Sequence, residues 1–345
     1  MKQIFSKRLK SARLLAKLTM EELAQKVNIT KNAVSKYEKG EMMADPNVML
    51  LLAKALGVEI GYLLRPYEVK LSNVEFRKKT SMSKTDEYSI GEQILIRIEN
   101  YLKTEELLNI QSTFENPFKG VVIRSKTDME VYAAKLTEQW QTGNYGIPSV
   151  YQMLESREVK LIELPFGNDF DGWSGMAAEK YPVIVINKNT STTERKRFTA
   201  LHELAHLLFD FDEALTDKEI EKLCHYFAGA VLVPKVSMYR MFGENRSNIT
   251  HSERMEVNRV FGISHQAFMY RASELGIIKP YIYKQFQFKI KNNREEKGLS
   301  VYRGEEQANR FSSLITRALT EEFVTLGKAS ELSGIPIEEL AENLI

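Results

Sequence analysis

Two histidines four residues apart, with a glutamate directly after the first, are the residues of this chain best suited to chemistry: His202-Glu203-Leu-Ala-His206. On an α-helix, positions i and i+4 share a face, so both imidazoles can reach one ion. Glu203 stands where it can polarise a water bound to that ion. The set amounts to two nitrogen ligands, a carboxylate base and an open coordination position, and its chemistry is metal-assisted hydrolysis. The chain has five His, and two of them at ligand spacing around a Glu favour the metal reading over two ordinary helix histidines.

Positioning these residues requires a buried helix and something for it to rest on. Phe198, Leu201, Leu204, Leu207 and Leu208 surround the motif, which predicts that helix. Thr193-Glu-Arg-Lys-Arg197 opens it, with an acidic residue near the positive helix end. Upstream, Val159 to Leu164, Ser174 to Ala178 and the β-branched run Tyr181 to Asn187 read as strands, with a turn through Gly167, Asp169 and Gly172. A small sheet against the metal helix is expected, with an edge suited to pairing with an extended peptide. Downstream, Asp217 to about Val233 reads as the next helix, stopped by Pro234. Two His leave a tetrahedral ion one protein ligand short. Asp210, Asp212, Glu213, Asp217, Glu219, Glu221 and His225 are the candidates, the first two lying too close behind the helix to fold back. Glu221 and His225 share a face of the next helix, and spacing does not choose between them.

With 345 residues there is room for two or three domains. The single cysteine, Cys224, excludes an internal disulfide and a cysteine-rich metal site, which fits a reducing interior. The N-terminus lacks the apolar core of a signal peptide, and no run of about 18 apolar residues is present to span a membrane. A cytoplasmic protein is the expectation. The small net charge of +2 hides an asymmetry: residues 1–66 hold 12 Lys and Arg against 6 Asp and Glu. A basic N-terminal unit joined to a mildly acidic body points to a nucleic-acid partner at the N-terminus.

That unit reads as five short helices. Residues 4–17 place Ile4, Phe5, Leu9, Ala12 and Ala16 against Lys7, Arg8 and Lys10. Thr19 and Glu22 form a capping box before Met20 to Val27. Asn28-Ile29 makes a tight turn, Thr30 caps Lys31 to Lys39, and Gly40 closes it. Two helices joined this closely form a helix-turn-helix; about Pro46 to Leu56 and Ile60 to Leu64 supply the remaining two. Residues 8–66, through Arg8-Leu-Lys-Ser-Ala-Arg13, Glu22-Leu-Ala-Gln-Lys-Val27, Tyr37-Glu-Lys-Gly40 and Ala55-Leu-Gly-Val58, resemble the phage-repressor (XRE) type of helix-turn-helix. The resemblance implies a buried Arg13–Glu38 ion pair, a homodimer on a double-stranded DNA operator, and a recognition helix exposing Lys31, Asn32, Ser35 and Lys36. These side chains suit base-edge contact, Asn with adenine and Lys with guanine. Met20 stands where that family usually has Gln, which removes one hydrogen-bond donor.

Between the two ends, Val74 to Lys79 is amphipathic, with the basic run Arg77, Lys78 and Lys79. Ser83 to about Ile110 reads as a long connector helix, and two more are expected from about Asp128 and over Ser149 to Glu158. Past the metal region, Tyr281 to Ile290 alternates like a strand, Lys291 to Gly304 reads as a charged linker, and Glu305 to Ile345 as helical. Ala329 to Pro336 resembles half of a second helix-turn-helix, whose last helix carries Glu338, Glu339 and Glu342, charges that repel phosphate.

Residues from about 74 to 280 resemble the ImmA/IrrE family of zinc metallopeptidases. The matching stretches are Phe170-Asp-Gly-Trp-Ser-Gly175, Pro182-Val-Ile-Val-Ile-Asn187, Arg197 to Leu208, and Glu221-Lys-Leu-Cys-His-Tyr-Phe-Ala228 with Leu232-Val-Pro234. The resemblance makes Glu221 the third ligand beside His202 and His206, with Glu203 as the base. His225 falls where the family commonly has Asn. It is expected beside the metal ligands or facing substrate, as are Tyr226 and Tyr181; His251 and His265 are expected to be ordinary histidines. Zn2+ is the implied ion, ahead of Mn2+ or Fe2+. The expected architecture is multidomain: an all-α five-helix helix-turn-helix domain over 1–66, a helical connector over 67–125, an α+β zincin-like metallopeptidase domain with a small sheet over 126–290, and a helical C-terminal extension over 291–345. The implied function is a DNA-binding regulator with a zinc endopeptidase that cleaves a helix-turn-helix repressor or antitoxin, or itself. The competing expectation is a non-proteolytic transcription factor or antitoxin whose metal domain senses a ligand or serves as scaffold.

Overall fold

The computed structural model describes residues 1–66, 71–72, 84–167, 170–294 and 296–342. The basic stretch Val74 to Lys79, Ser83 at the expected helix start and Asp169 in the expected turn lie outside the described residues. Two compact units divide the chain: Met1–Ile110 with Ala177–Glu179 and Ile315–Ile345, and Gln111–Met176 with Lys180–Leu314.

In the first unit, helices α1 (Lys2–Leu15), α2 (Met20–Lys26), α3 (Lys31–Glu38), α4 (Pro46–Leu56) and α5 (Ile60–Leu64) follow one another closely. Their starts are written in the sequence. Thr19 and Glu22 close a capping box on α2, the Thr30 side chain accepts from the Ala33 amide, and Asp45 caps α4 ahead of Pro46. Between α2 and α3, Asn28 takes a left-handed φ of 54°, the conformation Asn tolerates best after Gly. Phe5, Leu9, Leu23, Val34, Leu52 and Leu63 are wholly buried and form the core of these five helices. Arg13 on α1 and Glu38 on α3 form a buried ion pair, with Nη2 2.9 Å from Oε2, and Arg13 Nη1 donates to the Leu18 carbonyl at 2.8 Å.

A two-residue strand, β1 (Leu71–Ser72), precedes the long helix α6 (Lys84–Leu107). Ile90, Ile94, Ile98 and Tyr101 bury one side of α6, which packs against α1. Arg8 on α1 is wholly buried, and its Nη2 donates to both carboxylate oxygens of Glu99 on α6 at 3.0 and 2.9 Å and to the Pro66 carbonyl at 2.9 Å. At the C-terminal end of the chain, α16 (Leu326–Ser333) and α17 (Ile337–Glu342) follow α15 (Arg310–Thr320). Asn100 on α6 donates to the Leu332 carbonyl at 2.9 Å, fixing α16 against α6.

The second unit is α+β. Strand β5 (Tyr181–Asn187) lies between β4 (Gly172–Ala177) and β3 (Lys160–Leu164), and it runs parallel to β3 with Leu161 opposite Ile184. β5 is buried on both faces from Pro182 to Asn187, so it reads as a continuous apolar run rather than an alternation. Around the sheet stand α7 (Lys126–Gln139), α8 (Val150–Ser156), α9 (Thr193–Leu208) and α10 (Asp217–Leu232). A second sheet was not anticipated: β2 (Val122–Ile123) pairs in parallel with β6 (Asp210–Phe211) directly after α9.

Beyond α10, helices α11 (Lys235–Phe242), α12 (His251–Phe261), α13 (His265–Glu274) and α14 (Pro280–Lys289) complete the unit. Helix α14 corrects the expected strand over Tyr281 to Ile290. Pro280 presets its first turn, and the buried pair Ile282 and Phe286, four apart, sets a helical rather than a two-residue period, leaving Tyr281 and Phe288 exposed. The expected linker over Lys291 to Gly304 is likewise pinned: Glu296 accepts the His265 and Gln266 amides at 2.8 and 2.7 Å, while Asn258 Oδ1 accepts from the Val301 and Tyr302 amides. Glu306 follows, nearly fully buried, accepting from the Val150 and Tyr151 amides and the Ser149 hydroxyl at 2.8 Å each, and pairing with the buried Arg197 of α9. Helix therefore resumes at Arg310 rather than at Glu305.

Candidate metal centre

Helices α9 and α10 build the centre from opposite sides. α9 begins at Thr192, whose hydroxyl accepts the Arg195 amide, and the helix buries Leu201, Leu204, Ala205 and Leu208. That burial leaves His202 and His206 one turn apart on the face toward α10. α10 is started by the Thr216–Glu219 capping box, which places Glu221 in its second turn. The result is a close triad: His202 Nε2 lies 3.2 Å from Glu221 Oε2, His206 Nε2 lies 3.7 Å from Glu221 Oε1, and the two Nε2 atoms are 3.4 Å apart. Among the described residues this is the one group of three or more His, Cys, Asp or Glu spaced to hold a metal ion, its ligand atoms lying within 4.8 Å of one another.

The donor set fits a divalent transition ion. Two imidazole nitrogens and one carboxylate leave a tetrahedral ion a fourth position open, the composition of a hydrolytic rather than a purely structural centre. His202 is buried and Glu221 is about one-third exposed, so the triad is reached from the α10 side. On the far side of His206, Nδ1 lies 3.3 Å from the buried Cys224 Sγ. A ligating imidazole commonly donates its second N–H to an acceptor that fixes its tautomer, and here the neighbour is a thiol. Asp210 and Asp212 are held elsewhere by β6: the Asp210 amide donates to the Val121 carbonyl, and Asp212 accepts from Arg124 at 3.2 Å.

Glu203, directly after His202, lies against the sheet. It is 5% exposed, and its Oε2 accepts from the Ser174 hydroxyl on β4 at 2.7 Å. Ser174 carried no signal of its own in the sequence beyond standing in the Phe170 to Gly175 stretch.

The remaining residues expected near the centre separate. The exposed His225 ring has its centroid 4.4 Å from that of His202 and stacks on Phe198 at 5.8 Å, so it stands at the mouth of the triad. Tyr226, one residue on, faces the other way: its hydroxyl donates to Glu130 at 2.7 Å, and Glu130 also accepts from Arg271. Burial and then this hydrogen bond push the Tyr226 phenol well above the usual tyrosine range, so it stays a donor to Glu130. Tyr181 begins β5 with the ammonium of Lys180 5.0 Å from its ring centre. His265 is buried on α13, its pKa lowered to about 4 by burial and then by the Arg254 and His251 charges.

On α3, Lys31, Asn32 and Lys36 are exposed and Ser35 is partly so, while Val34 and Tyr37 are buried. Lys31 Nζ lies 3.7 Å from Glu21 of α2. Met20, at the start of α2, packs against the core of the five helices.

Known proteins match two separate stretches of the chain. A helix-turn-helix family model covers residues 9–63, and a model of the IrrE N-terminal-like domain covers residues 154–273. The HTH-type transcriptional regulator ImmR of Bacillus subtilis (strain 168) is 30% identical over 116 residues, which span 33% of this chain and 91% of that protein. The uncharacterized HTH-type transcriptional regulator YqaE of the same organism is 36% identical over 62 residues, 18% of this chain and 53% of YqaE. The apo form of ComR from S. thermophilus aligns over 97% of this chain and 100% of its own at 11% identity, with a TM-score of 0.18. No helix among the described residues is long and apolar enough to cross a membrane. The chain belongs to the helix-turn-helix family of transcriptional regulators, and it joins to that N-terminal part an IrrE N-terminal-like domain of the metallopeptidase-like type.

Proposed function

We propose that this protein is a cytoplasmic, homodimeric regulator that binds a double-stranded operator through α3 and carries a zinc-dependent endopeptidase in its second unit. The observation that carries the reading is the convergence of His202, His206 and Glu221 within ligand distance, with Glu203 directly beside the first of them. Zn2+ is favoured by the nitrogen-rich donor set, with Mn2+ or Fe2+ as weaker fits. When bound there, the ion acidifies a water and polarises the scissile carbonyl.

The chain's own residues supply the rest. His202, His206 and Glu221 hold the ion and leave one position open. Glu203 accepts the proton of the attacking water and delivers it to the leaving amine. His225, at the mouth, faces the bound peptide. On α3, Asn32 and Lys36 reach base edges, and Lys31 and Ser35 contact phosphate or base. The preferred substrate is a helix-turn-helix repressor or antitoxin, or the protein's own chain.

Co-expression with the repressor-like protein encoded nearest to it tests the proposal, with intact-mass detection of a cut in either chain. Wild type is expected to cleave and Glu203→Gln is not. Zinc uptake and tight DNA binding without cleavage would sink the peptidase reading and leave a metal-dependent sensor.

A further inference from the structure

Gly172 and Ser174 stand two apart on β4 and so face the same way. A Cβ at Gly172 would lie 2.7 Å from Thr199 Cγ2 and 3.4 Å from Glu203 Cγ. The strand comes this close to α9 because position 172 has no side chain. That approach brings the Ser174 hydroxyl within 2.7 Å of Glu203 Oε2.

The hydrogen bond does something the helix alone cannot. The terminal torsion of a glutamate is broad and roughly two-fold, so the position of Glu203 on α9 leaves the plane of its carboxylate free to turn. A hydroxyl donated to Oε2 fixes that plane and leaves Oε1 to take up a proton. A base is effective when its direction is set before the reaction, by a partner that is itself held by packing. Ser174 meets that condition, because β4 is hydrogen-bonded into the sheet beside β5.

We propose that Ser174 is a positioning residue of the hydrolytic centre, setting the plane of the Glu203 carboxylate and hence the direction in which it accepts a proton. The inference rests on the reading of Glu203 as the base.

The test uses the full-length protein loaded with Zn2+ and titrated calorimetrically with acetohydroxamate, which chelates the ion and offers a proton to a correctly aimed carboxylate. Ser174→Ala is expected to weaken acetohydroxamate about tenfold, the lower end of the usual effect of removing a supporting hydrogen bond at a metal centre, with Zn2+ affinity unchanged. Ser174→Thr, which keeps the hydroxyl, is expected to bind like wild type, and Glu203→Gln marks the floor. Wild-type affinity in Ser174→Ala beside a weakened Glu203→Gln overturns the proposal and leaves the base in place. A joint loss of Zn2+ affinity and melting temperature in Ser174→Ala that Ser174→Thr fails to restore overturns it in favour of a structural role. Unchanged binding in Glu203→Gln, or no Zn2+ uptake by wild type, removes the base or the metal reading itself and the proposal with it.

Discussion

At the scale of single residues, Glu221 separates a metal centre from a pair of helix histidines. A ligand that binds only the folded state stabilises it by mass action, by about 2.7 kcal/mol at a hundredfold excess over Kd. Zn2+ is therefore expected to raise the melting temperature of the wild type, and Glu221→Gln to lose most of that rise while melting like wild type in chelator. A second residue sets an acid limit on stability. His265 is almost fully buried with a pKa lowered to about 4, burial being the main cause. In the unfolded chain it returns to about 6.5. Its contribution is whole above pH 6.5 and is lost as the pH falls toward 4, because only the unfolded state takes up the proton in that window. The loss is roughly 3 kcal/mol. Equilibrium unfolding of His265→Phe is expected to show a flatter pH dependence between pH 6.5 and 4 than wild type, and an equal slope in both would contradict the assignment. The two residues differ in legibility. Spacing set aside Asp210 and Asp212 and left Glu221 and His225 sharing one helix face, and the ImmA/IrrE resemblance singled out Glu221. The environment of His265 is made by α12 and by Glu296, which no local pattern connects to it.

At the scale of elements, the helix starts were the most legible part of the chain. Capping boxes at Thr19 and Thr216 and the caps at Thr30 and Asp45 are local chemistry, so the sequence displays them directly. What stayed hidden was the stretch between α14 and α15. Its charges imply solvent when read alone, yet Glu306 reaches the N-terminus of α8 and the guanidinium of Arg197. Acidic residues that satisfy distant helix ends leave no periodic trace. Removing that carboxylate strands a fully buried Arg197 and leaves the Val150 and Tyr151 amides of α8 without their acceptor, a change that costs about 3–5 kcal/mol when one partner of a buried pair is deleted. Chemical denaturation of Glu306→Ala should show that loss. A change below about 1 kcal/mol, the range of exposed pairs, would mean the pair is solvated in solution. The strand misread at Tyr281 has a related cause: tyrosine and phenylalanine favour strands on average, and burial of Ile282 and Phe286 overrode that preference.

At the scale of the whole molecule, the charge distribution concerns DNA rather than fold. The basic excess of residues 1–66 sits on a chain of net charge +2, so binding should weaken steeply with salt through counterion release. Lys36→Ala is expected to relax the preference at one base position with little change in the slope of log K against log salt, and a slope lowered by about one on every sequence would put Lys36 on phosphate instead. Fluorescence anisotropy on operator and scrambled duplexes across a salt series distinguishes the two. Independence of salt would remove α3 from the interface.

The pairing of Arg8 with Glu99 bears on what a break in the chain would do. The five N-terminal helices end before residue 67, but the carboxylate that neutralises one of their buried cations belongs to α6. While the chain is intact, that contact is made within one molecule and does not depend on concentration. One scission within residues 67–83 turns the contact into an association of two separate pieces, and dilution then works against it. The freed piece keeps its recognition helix but loses both the Glu99 carboxylate and the cover that α6 lays over α1, a loss set against a total stability of about 5–15 kcal/mol for a typical domain. A cut that spares every residue of α3 would therefore register as a weakened grip on the operator.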